Sequence, residues 1–320
     1  MRYKTNMTIR DFTESDYPGY VAASNAIFPD YPETVAECQF HDTNREAKIR
    51  WKRLVAEEGD VVIGYANWLN DSGSFHPQKF RLNVGVAPEN QGKGIGKKLY
   101  EAALESLAPL EPILVRGDAK ETDERTLRFL GERGFTEKMR EWESRLPMDS
   151  FDPASFADLV GRAEAQGIAI RSVAELSASD PDWETKLYEL DCAVCADIPS
   201  VEPYTPSEFS HWRKQVKESP GFWPEGYFIA LDGDKYVGES TLWTSQAEEG
   251  LYVGATGVVR EYRRKGIAHA LKVRACQAAK ERGVPELKTW NATTNAGMLA
   301  INVALGFVRQ PAWIVMEKTF

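Results

Sequence analysis

An internal repeat constrains this 320-residue chain more than any other feature of its sequence. The glycine-containing segment Gln91–Gly96 has a counterpart in Arg263–Ala268, an offset of 263 − 91 = 172 residues. The pair Gly134-Phe135 recurs as Gly306-Phe307, and its offset of 306 − 134 is again 172 residues. Matches nearer the start of each copy have a smaller offset, which loop insertions in the second copy explain. Because the matches keep their order, the sequence predicts a duplicated domain.

The predicted domains are residues 1–147 and residues 168–320, joined by a linker helix within residues 148–167. Two domains are also what a chain of this length favours. Pro147-Met148-Asp149 interrupts an apolar run, and Asp152-Pro153 is typical of a helix start, with an acidic N-cap before proline. Gly167 then ends the predicted linker helix.

Both copies show the same predicted order of strands and helices. Each begins with a short strand and two helical segments, followed by three strands and a helix directly after the glycine segment. That helix is predicted over residues 94–107 in the first copy and residues 266–282 in the second, from leucines and alanines at helical spacing. Strands and helices alternate afterwards. The predicted fold class is therefore α/β, with a mixed sheet and helices on its faces.

Composition excludes several classes of protein. The formal net charge of −9 and the sequence pI of about 5.2 argue against a general binder of nucleic acid or of anionic membranes. No run approaches the roughly 20 apolar residues that span a bilayer, and the first residues lack the apolar core of a signal peptide. Four cysteines do not make a disulfide scaffold. The expectation is a cytoplasmic protein that binds neither nucleic acid nor membrane.

The sequence predicts no metal site. Cys192-x-x-Cys195 resembles half of a zinc or redox motif, but it has no second pair and lies in a helical run. The four histidines show no metal-ligand spacing.

The segment Val84–Gly96 has the composition of a phosphate cradle. A β-branched strand ends, and glycines then open a helix, whose first N–H groups attract anions. Lys93, Lys97 and Lys98 add positive charge to an otherwise acidic protein. The spacing fits neither a dinucleotide-binding G-x-G-x-x-G motif nor a P-loop, which needs Ser or Thr after Gly-Lys.

The pattern Gln/Arg-x-x-Gly-x-Gly/Ala fits both copies, in Gln91–Gly96 and Arg263–Ala268. Together with the downstream Gly-Phe pairs, it resembles the GNAT superfamily of acyl-CoA-dependent N-acyltransferases. The resemblance covers nearly the whole chain as two tandem GNAT domains, in an arrangement similar to the mycothiol-synthase type. The alternative is a glycine turn that only lets a helix pack on a strand.

The resemblance implies acetyl-CoA as the cofactor, with its pyrophosphate on the loop N–H groups and its pantetheine arm along the preceding strand. A bulge on that strand would open the cleft, and the N–H of Val86 or Val258 would polarise the thioester carbonyl. The cofactor-binding residues implied are Val84, Val86, Gln91, Gly92, Lys93, Gly94, Ile95 and Gly96, and, in the second copy, Thr256, Val258, Arg263, Arg264, Lys265, Gly266, Ile267, Ala268 and Asn295.

Catalysis is expected in the second copy, which keeps more of the family pattern. Many GNAT enzymes have a tyrosine, proposed as the acid for the leaving thiolate, at the position of Leu130 and Asn302; neither copy has it. Asn302 is retained as a catalytic candidate, with a locally satisfied helix residue as the alternative. Asn295 is equally explained as a plain N-cap.

Glu239 is the predicted general base, because an apolar and aromatic strand would raise the pKa of its carboxyl group. The first copy has Asn67 at this position (239 − 172). A solvated, outward-facing glutamate is the alternative. Tyr252 is a second catalytic candidate, and Asp197 and Trp243 are predicted to contact the substrate.

The leading hypothesis is an acetyl-CoA-dependent N-acetyltransferase in which a small-molecule amine attacks directly, without a covalent enzyme intermediate. The alternative class is a non-catalytic CoA-binding or sensing protein. Mycothiol synthesis is a narrower enzymatic possibility. The chain is expected to be a monomer or homodimer.

Overall fold

The computed structural model describes residues 7–320, which form two compact units. Unit 1 comprises the described residues up to Lys138 together with Ile314–Phe320, and unit 2 comprises Met139–Trp313. Each unit has its own apolar core, and the fold is the predicted α/β arrangement with a mixed sheet.

Unit 1 contains the first copy of the repeat. Its strands are β1 (Met7–Asp11), β2 (Trp51–Glu58), β3 (Val61–Leu69), β4 (Lys79–Val86) and β5 (Leu114–Lys120), and its helices are α1 (Tyr17–Ile27), α2 (Val35–Thr43), α3 (Ile95–Leu107) and α4 (Glu124–Gly131). Leu99, Ala103 and Leu107 recur every fourth residue of α3, so one face of the helix is apolar, and all three are fully buried. This face packs on the sheet and positions the N-terminus of α3 at the end of β4.

Unit 2 repeats this plan. The strand β13 (Trp313–Thr319) lies in unit 1 except for Trp313. The strands of unit 2 are β6 (Thr136–Pro147), which begins in unit 1, β7 (Ile168–Ser172), β8 (Phe222–Asp232), β9 (Lys235–Thr244), β10 (Leu251–Val258), β11 (Glu286–Ala292) and β12 (Val308–Arg309). Its helices are α5 (Ala157–Glu164), α6 (Val173–Ser179), α7 (Trp183–Cys195), α8 (Phe209–Lys217), α9 (Ile267–Arg282) and α10 (Ala296–Ala304). Among the helices of residues 7–320, α6 is the one that the sequence did not predict.

The compact units and the sequence repeats differ at the last strand of each copy. β13 follows β5 in the strand order of unit 1, and its Ile314 and Met316 belong to the apolar core of that unit. β6, the last strand of the first copy, instead pairs antiparallel with β11 in unit 2, with Leu146 opposite Leu287. The boundaries proposed at residues 147 and 168 therefore describe the repeats, whereas each folded unit includes a strand from the other copy.

The segment predicted as a linker helix is part of the core of unit 2. Asp152 accepts a hydrogen bond from the N–H of Ala154 and caps a short 3-10 turn that leads into α5. Phe151 and Ala163 are buried, and the rings of Phe151 and Phe156 stack with centroids 5.5 Å apart. The helix forms as predicted, but it packs against α9 as a structural element.

In each unit, the strand that precedes the glycine loop pairs with its parallel neighbour over only part of its length. β4 pairs in parallel with β5 only over Lys79–Arg81, and β10 pairs in parallel with β11 only at Leu251 and Tyr252. Beyond these residues, β4 and β10 continue towards the glycine loops without pairing to that neighbour.

The bulge implied by the family resemblance is present in β10 and absent from the described pairing of β4. The register between β10 and β9 shifts between Val253 and Thr256, whereas β4 pairs with β3 in one unbroken register. Within the bulge, a Cβ on Gly254 would lie 2.3 Å from Thr241 Oγ1 and 2.6 Å from Trp243 Nε1. Only glycine fits here, so β9 side chains pack directly against the bulged backbone.

Candidate active site

The two glycine loops have nearly identical backbone geometry. Gly94 and Gly266 are the N-caps of α3 and α9, and both have left-handed φ values, of 80° and 79°. Gly92 also has a left-handed φ of 79°, and its counterpart Arg264 reaches 61°. No side chain caps either helix, so the N–H groups of each first turn point out of the loop without a side-chain acceptor.

The side chain of the first residue of each loop hydrogen-bonds to the strand that precedes the loop. Gln91 Nε2 donates to the carbonyl oxygen of Val86 at 3.0 Å, and Arg263 Nε donates to the carbonyl oxygen of Val258 at 3.0 Å. Glutamine and arginine are interchangeable here because each offers a side-chain N–H at similar reach. This contact gives a physical reason for the Gln/Arg position of the sequence pattern.

The loops fit the pyrophosphate of coenzyme A. A Cβ placed on Gly92, Gly94 or Gly266 would meet no atom within 4 Å, so the space above each loop is open to a ligand. Uncapped helix N-termini attract anions. The exposed side chains of the two loops include Lys93 in unit 1 and Arg264 and Lys265 in unit 2.

Glu239 lies in the interior of unit 2, on the face of β9 that α7 covers. It is 0% exposed, which excludes the solvated alternative. Tyr227 Oη donates to Glu239 Oε2 at 2.6 Å, whereas Glu239 Oε1 is buried and has no hydrogen-bond partner. Burial raises the pKa of the Glu239 carboxyl well above its usual range, and the nearby charge of Asp191 raises it further.

Asp191 on α7 is the second carboxyl group of this cluster. Trp212 Nε1 donates to Asp191 Oδ2 at 2.9 Å, and Cys195 Sγ lies 3.5 Å from Asp191 Oδ1. The carboxyl groups of Asp191 and Glu239 interact, and each affects the pKa of the other. Burial raises the pKa of Asp191, and its hydrogen bonds, with that of Trp212 the strongest, oppose the rise. We refer to Asp191 and Glu239 as the acid pair.

Unit 1 has a different arrangement at the corresponding place. Tyr65, which pairs with Gly85, lies where Glu239, which pairs with Gly257, lies in unit 2, so the 172-residue offset that assigned Asn67 to this position is wrong by two residues on this strand. Arg53 on β2 lies opposite Asn67 and forms a buried ion pair with Asp42 on α2, at 2.6 Å between Nη1 and Oδ2. Arg53 also lies over the ring of Tyr20, 4.0 Å from its centroid. Unit 1 therefore contains a tyrosine, with a buried ion pair near it, where unit 2 contains the glutamate of the acid pair.

Tyr252 occupies the point where β10 and β11 separate. Its hydroxyl donates to Glu248, whose other oxygen accepts a hydrogen bond from Lys288 Nζ at 2.6 Å. Its ring stacks on Trp290 with centroids 5.8 Å apart. Trp243 lies two residues after Thr241 on β9, and its indole N–H donates to that hydroxyl at 3.2 Å. The structure thus places Trp243 beside the bulge of β10 and opposite Tyr252 in the strand register, while the Tyr252 hydroxyl bonds to Glu248.

Asn302 is buried in a polar network on α10. Its amide nitrogen donates to Asn291 Oδ1 at 2.7 Å, and its oxygen accepts from Lys272 Nζ at 2.5 Å. Both polar atoms of the side chain are therefore hydrogen-bonded inside unit 2. This agrees with the alternative interpretation, in which Asn302 is a locally satisfied helix residue. Lys272 is 1% exposed, and burial lowers its pKa to about 8.

The depressed pKa of Lys272 predicts a pH-dependent stability difference. Between about pH 8 and pH 10, the unfolded chain binds a proton at this lysine that the folded chain does not, so folding becomes more favourable as the pH rises. In Lys272→Met this contribution is lost. We expect the free energy of unfolding of the wild type to gain on the order of 1–3 kcal/mol relative to Lys272→Met over this range.

Urea unfolding of both proteins at pH 7, 8, 9 and 10 measures this difference. Lys97→Met, at an exposed lysine of α3, supplies the baseline for losing a lysine. A constant difference between wild type and Lys272→Met across the range would contradict the assignment.

Two further predicted site residues have structural contacts. Asn295 is the N-cap of α10, and its Oδ1 accepts from the N–H of Met298 at 3.3 Å. Asp197, which follows α7, forms ion pairs with Arg260 and Arg263, each at 2.5 Å. The hydrogen bond from Arg260 is the main cause that lowers the pKa of Asp197 to about 2. The structure brings Asp197 to the loop of unit 2, and its contact with substrate stays a prediction.

Asp191 is the main site residue that sequence reasoning missed. Leu187, Leu190 and Val194 form the buried stripe of α7, and Asp191 lies on the same face. A carboxyl group within an apolar helical stripe was the available signal.

Two family models match the chain, one in each unit. The Acetyltransferase (GNAT) family model matches residues 185–307, and an Acetyltransferase (GNAT) domain model matches residues 51–137. Together they match about two thirds of the chain. Fold, glycine loops and family models agree: the chain belongs to the GNAT family of N-acetyltransferases, with two GNAT domains in tandem.

Curated relatives and solved structures agree with this tandem arrangement. The chain is 24% identical over 287 residues to a mycothiol acetyltransferase of Thermobifida fusca, covering 83% of this chain and 82% of that protein. It is 29% identical over 112 residues to N-alpha-acetyltransferase 30 of Schizosaccharomyces pombe, covering 34% of this chain and 69% of the relative. A tandem GNAT protein from the clavulanic acid biosynthesis pathway has the same fold, with a TM-score of 0.76 at 18% identity over 98% of both chains.

Membrane-spanning helices and metal-ligating clusters are both absent from residues 7–320. None of the helices there is long and apolar enough to cross a membrane. In the same part of the chain, no group of three or more His, Cys, Asp or Glu residues is placed to hold a metal ion.

Proposed function

We propose that this protein is an acetyl-CoA-dependent N-acetyltransferase that acts on the amine of a small molecule, with unit 2 as the catalytic domain. The observation that carries the proposal is the acid pair beside the bulged strand β10. Unit 1 has neither feature in its described residues: β4 keeps one register, and Tyr65 stands in the place of Glu239.

Unit 2 offers a complete set of groups for holding the cofactor. The N–H groups at the start of α9 and the side chains of Arg264 and Lys265 would hold the pyrophosphate. The unpaired edge of β10 around Thr256 and Val258 would bind the pantetheine arm by backbone hydrogen bonds. Acetyl-CoA, when bound, supplies the acetyl group as a thioester. Unit 1 has the same loop, and we propose that it binds coenzyme A without turnover or supports the fold.

The acceptor side of unit 2 is aromatic and acidic. The ring of Tyr188 contacts the rings of Phe209 and Trp212, with centroids 5.3 and 5.4 Å away. Trp212 also holds Asp191 through its indole N–H. Aromatic faces and carboxylates both favour a cation, so this side of the unit suits an amine that arrives protonated. A carboxyl group of high pKa suits the removal of its proton.

A non-catalytic CoA-binding protein is the second candidate, favoured by the absence of the family tyrosine at Leu130 and Asn302. Within the enzymes, the full-length similarity to a mycothiol acetyltransferase favours a cysteinyl amino-sugar as one acceptor to test. The partial similarity to N-alpha-acetyltransferase 30 adds the N-terminal amine of a peptide. We further propose a cytoplasmic protein that is a monomer or homodimer.

Acetyl-CoA-dependent release of free thiol tests the proposal directly. The purified full-length chain is assayed against polyamines, aminoglycosides, a cysteinyl amino-sugar and short peptides, and coenzyme A binding is measured in parallel by calorimetry. We expect turnover on at least one class of amine. Binding of coenzyme A without turnover on any of them would favour the sensing protein instead.

A further inference from the structure

The acid pair requires a proton that the two carboxyl groups share. Ionised carboxylates only accept hydrogen bonds, and two of them at close range repel each other. Glu239 Oε2 is satisfied by Tyr227, but Oε1 is fully buried and receives no hydrogen bond. A proton on Glu239 resolves both problems, because Oε1 then donates to Asp191.

The two members of the acid pair differ in access to solvent. Glu239 is fully buried, whereas Asp191 on the neighbouring α7 is partly exposed. Cys192 and Tyr204, which border Asp191, are also partly exposed. A ligand that approaches along α7 therefore contacts Asp191, whereas Glu239 is buried behind Asp191.

The packing of α7 places Asp191 close to β10, the strand that is proposed to bind the acetyl donor. A Cβ on Gly257 would lie 2.5 Å from Val194 Cγ1, so α7 packs directly on the backbone of β10 just after its bulge. Asp191 lies three residues before Val194, on the same face of the helix. Asp191 thus lies beside the strand that the proposed function assigns to the acetyl donor.

We propose that Asp191 accepts the proton from the acceptor amine, and that Glu239, protonated and held by Tyr227, is the positioning residue that keeps Asp191 ionised. This inference rests on the proposed function and makes Asp191, not Glu239, the catalytic base. The acceptor class that it implies is an amine bound as its ammonium ion.

The proposed step moves one proton from the acceptor amine to Asp191. One N–H bond of the ammonium breaks, its electron pair stays on nitrogen as the nucleophile, and the proton joins an Asp191 oxygen. After the product leaves, this proton returns to water through the partly exposed side near Cys192 and Tyr204. Glu239 keeps its own proton throughout.

The neighbours of the acid pair are acidic or neutral at neutral pH. They are Cys192 and Cys195 on α7, Tyr227 on β8, Tyr204 in the segment before α8, and the indole of Trp212 on α8. Burial is the main cause that raises the pKa of the Cys195 thiol and of the Tyr204 and Tyr227 phenols, and the charge of Asp191 raises it further. The ionisation of Asp191 therefore depends on the hydrogen bonds from Trp212 and Glu239.

Three substitutions separate the roles of the two carboxyl groups. Asp191→Asn removes the base, and we expect kcat/KM to fall about 100- to 10,000-fold. Glu239→Gln retains both hydrogen bonds, since its amide oxygen accepts from Tyr227 and its NH2 group donates to Asp191. We expect kcat/KM within a few-fold of wild type. Glu239→Met removes the donor to Asp191, so the pKa of Asp191 rises and the acidic limb of the pH profile moves to higher pH by about one unit.

A second readout does not depend on activity. The infrared spectrum of the wild type at pH 7 should contain the carbonyl stretch of a protonated carboxyl group, and Glu239→Gln should lose it. Asp197→Asn, at a carboxylate paired with two arginines, should retain the band.

The outcomes distinguish this inference from the proposed function. If the wild type binds coenzyme A but acetylates no amine, the proposed function fails, and the infrared band still reports whether the pair shares a proton. If the wild type is active and Glu239→Gln loses as much activity as Asp191→Asn, Glu239 is itself the ionised base and the inference is wrong. Unchanged turnover in Asp191→Asn would overturn it equally.

Discussion

Replacing Gly266 with valine is expected to reduce acetyl transfer by about 100-fold or more, because one backbone position shapes the whole loop of unit 2. Gly266 has a φ of 79°, which a β-branched residue rarely adopts. A side chain there would also project into the open space above the loop. The substitution therefore moves the N–H groups at the start of α9 and fills the proposed position of the pyrophosphate.

The measurement is thiol release together with calorimetric binding of coenzyme A. Gly283→Val is the matched control, since Gly283 ends the same helix with a φ of 78° and lies far along α9 from the loop. It carries the same backbone strain, and we expect binding and turnover to persist. Gly94→Val places the change in the loop of unit 1. If Gly94→Val abolished turnover and Gly266→Val did not, the chemistry would belong to unit 1.

Replacing Asp42 with asparagine is expected to lower the free energy of unfolding of unit 1 by about 3–5 kcal/mol. The side chains of Asp42 and Arg53 are 3% and 4% exposed, so the pair is almost completely removed from water. Tyr17 Oη also donates to Asp42 Oδ2, at 2.9 Å. Asp42→Asn would leave the Arg53 guanidinium buried without its countercharge, and burying an unpaired charge is costly.

Thermal and urea unfolding of the full chain measure this effect. Glu101→Gln is the control, because its ion pair with Lys97 on α3 is exposed and such pairs contribute little. The double variant Asp42→Leu with Arg53→Met should recover much of the loss, since a buried ion pair can be replaced by apolar side chains at little cost. If Asp42→Asn were as stable as Glu101→Gln, the ion pair would have no role in holding unit 1 together.

The glycine loops were predictable from sequence because their requirements are local. A left-handed φ at Gly94 and Gly266 and a helix that starts immediately afterwards depend on a few adjacent residues. The same holds for α3, whose apolar residues recur with the helical period. The bulge in β10 was implied by the family, and its absence from β4 was not foreseen.

The acid pair could not be predicted because its two members are 48 residues apart (239 − 191). Each residue alone had an ordinary explanation, Glu239 as an exposed strand residue and Asp191 as part of a helix. Only the packing of α7 on β9 and β10 brings the two carboxyl groups together. Asn302 and Asn295 are the opposite case. The sequence allowed each a functional role, but both side chains form hydrogen bonds inside unit 2.

The sequence by itself determined the duplication, the order of strands and helices, and the two loops, since repeats, periodicity and turn chemistry act over short stretches of chain. The tertiary structure decided which strands each folded unit contains. It exchanged β6 and β13 between the two copies, a choice made by long-range pairing and by burial of side chains such as Ile314 and Leu146. It also decided where the charges are buried, an ion pair in unit 1 and an acid pair in unit 2, because the environment that shifts a pKa is assembled only when distant segments pack.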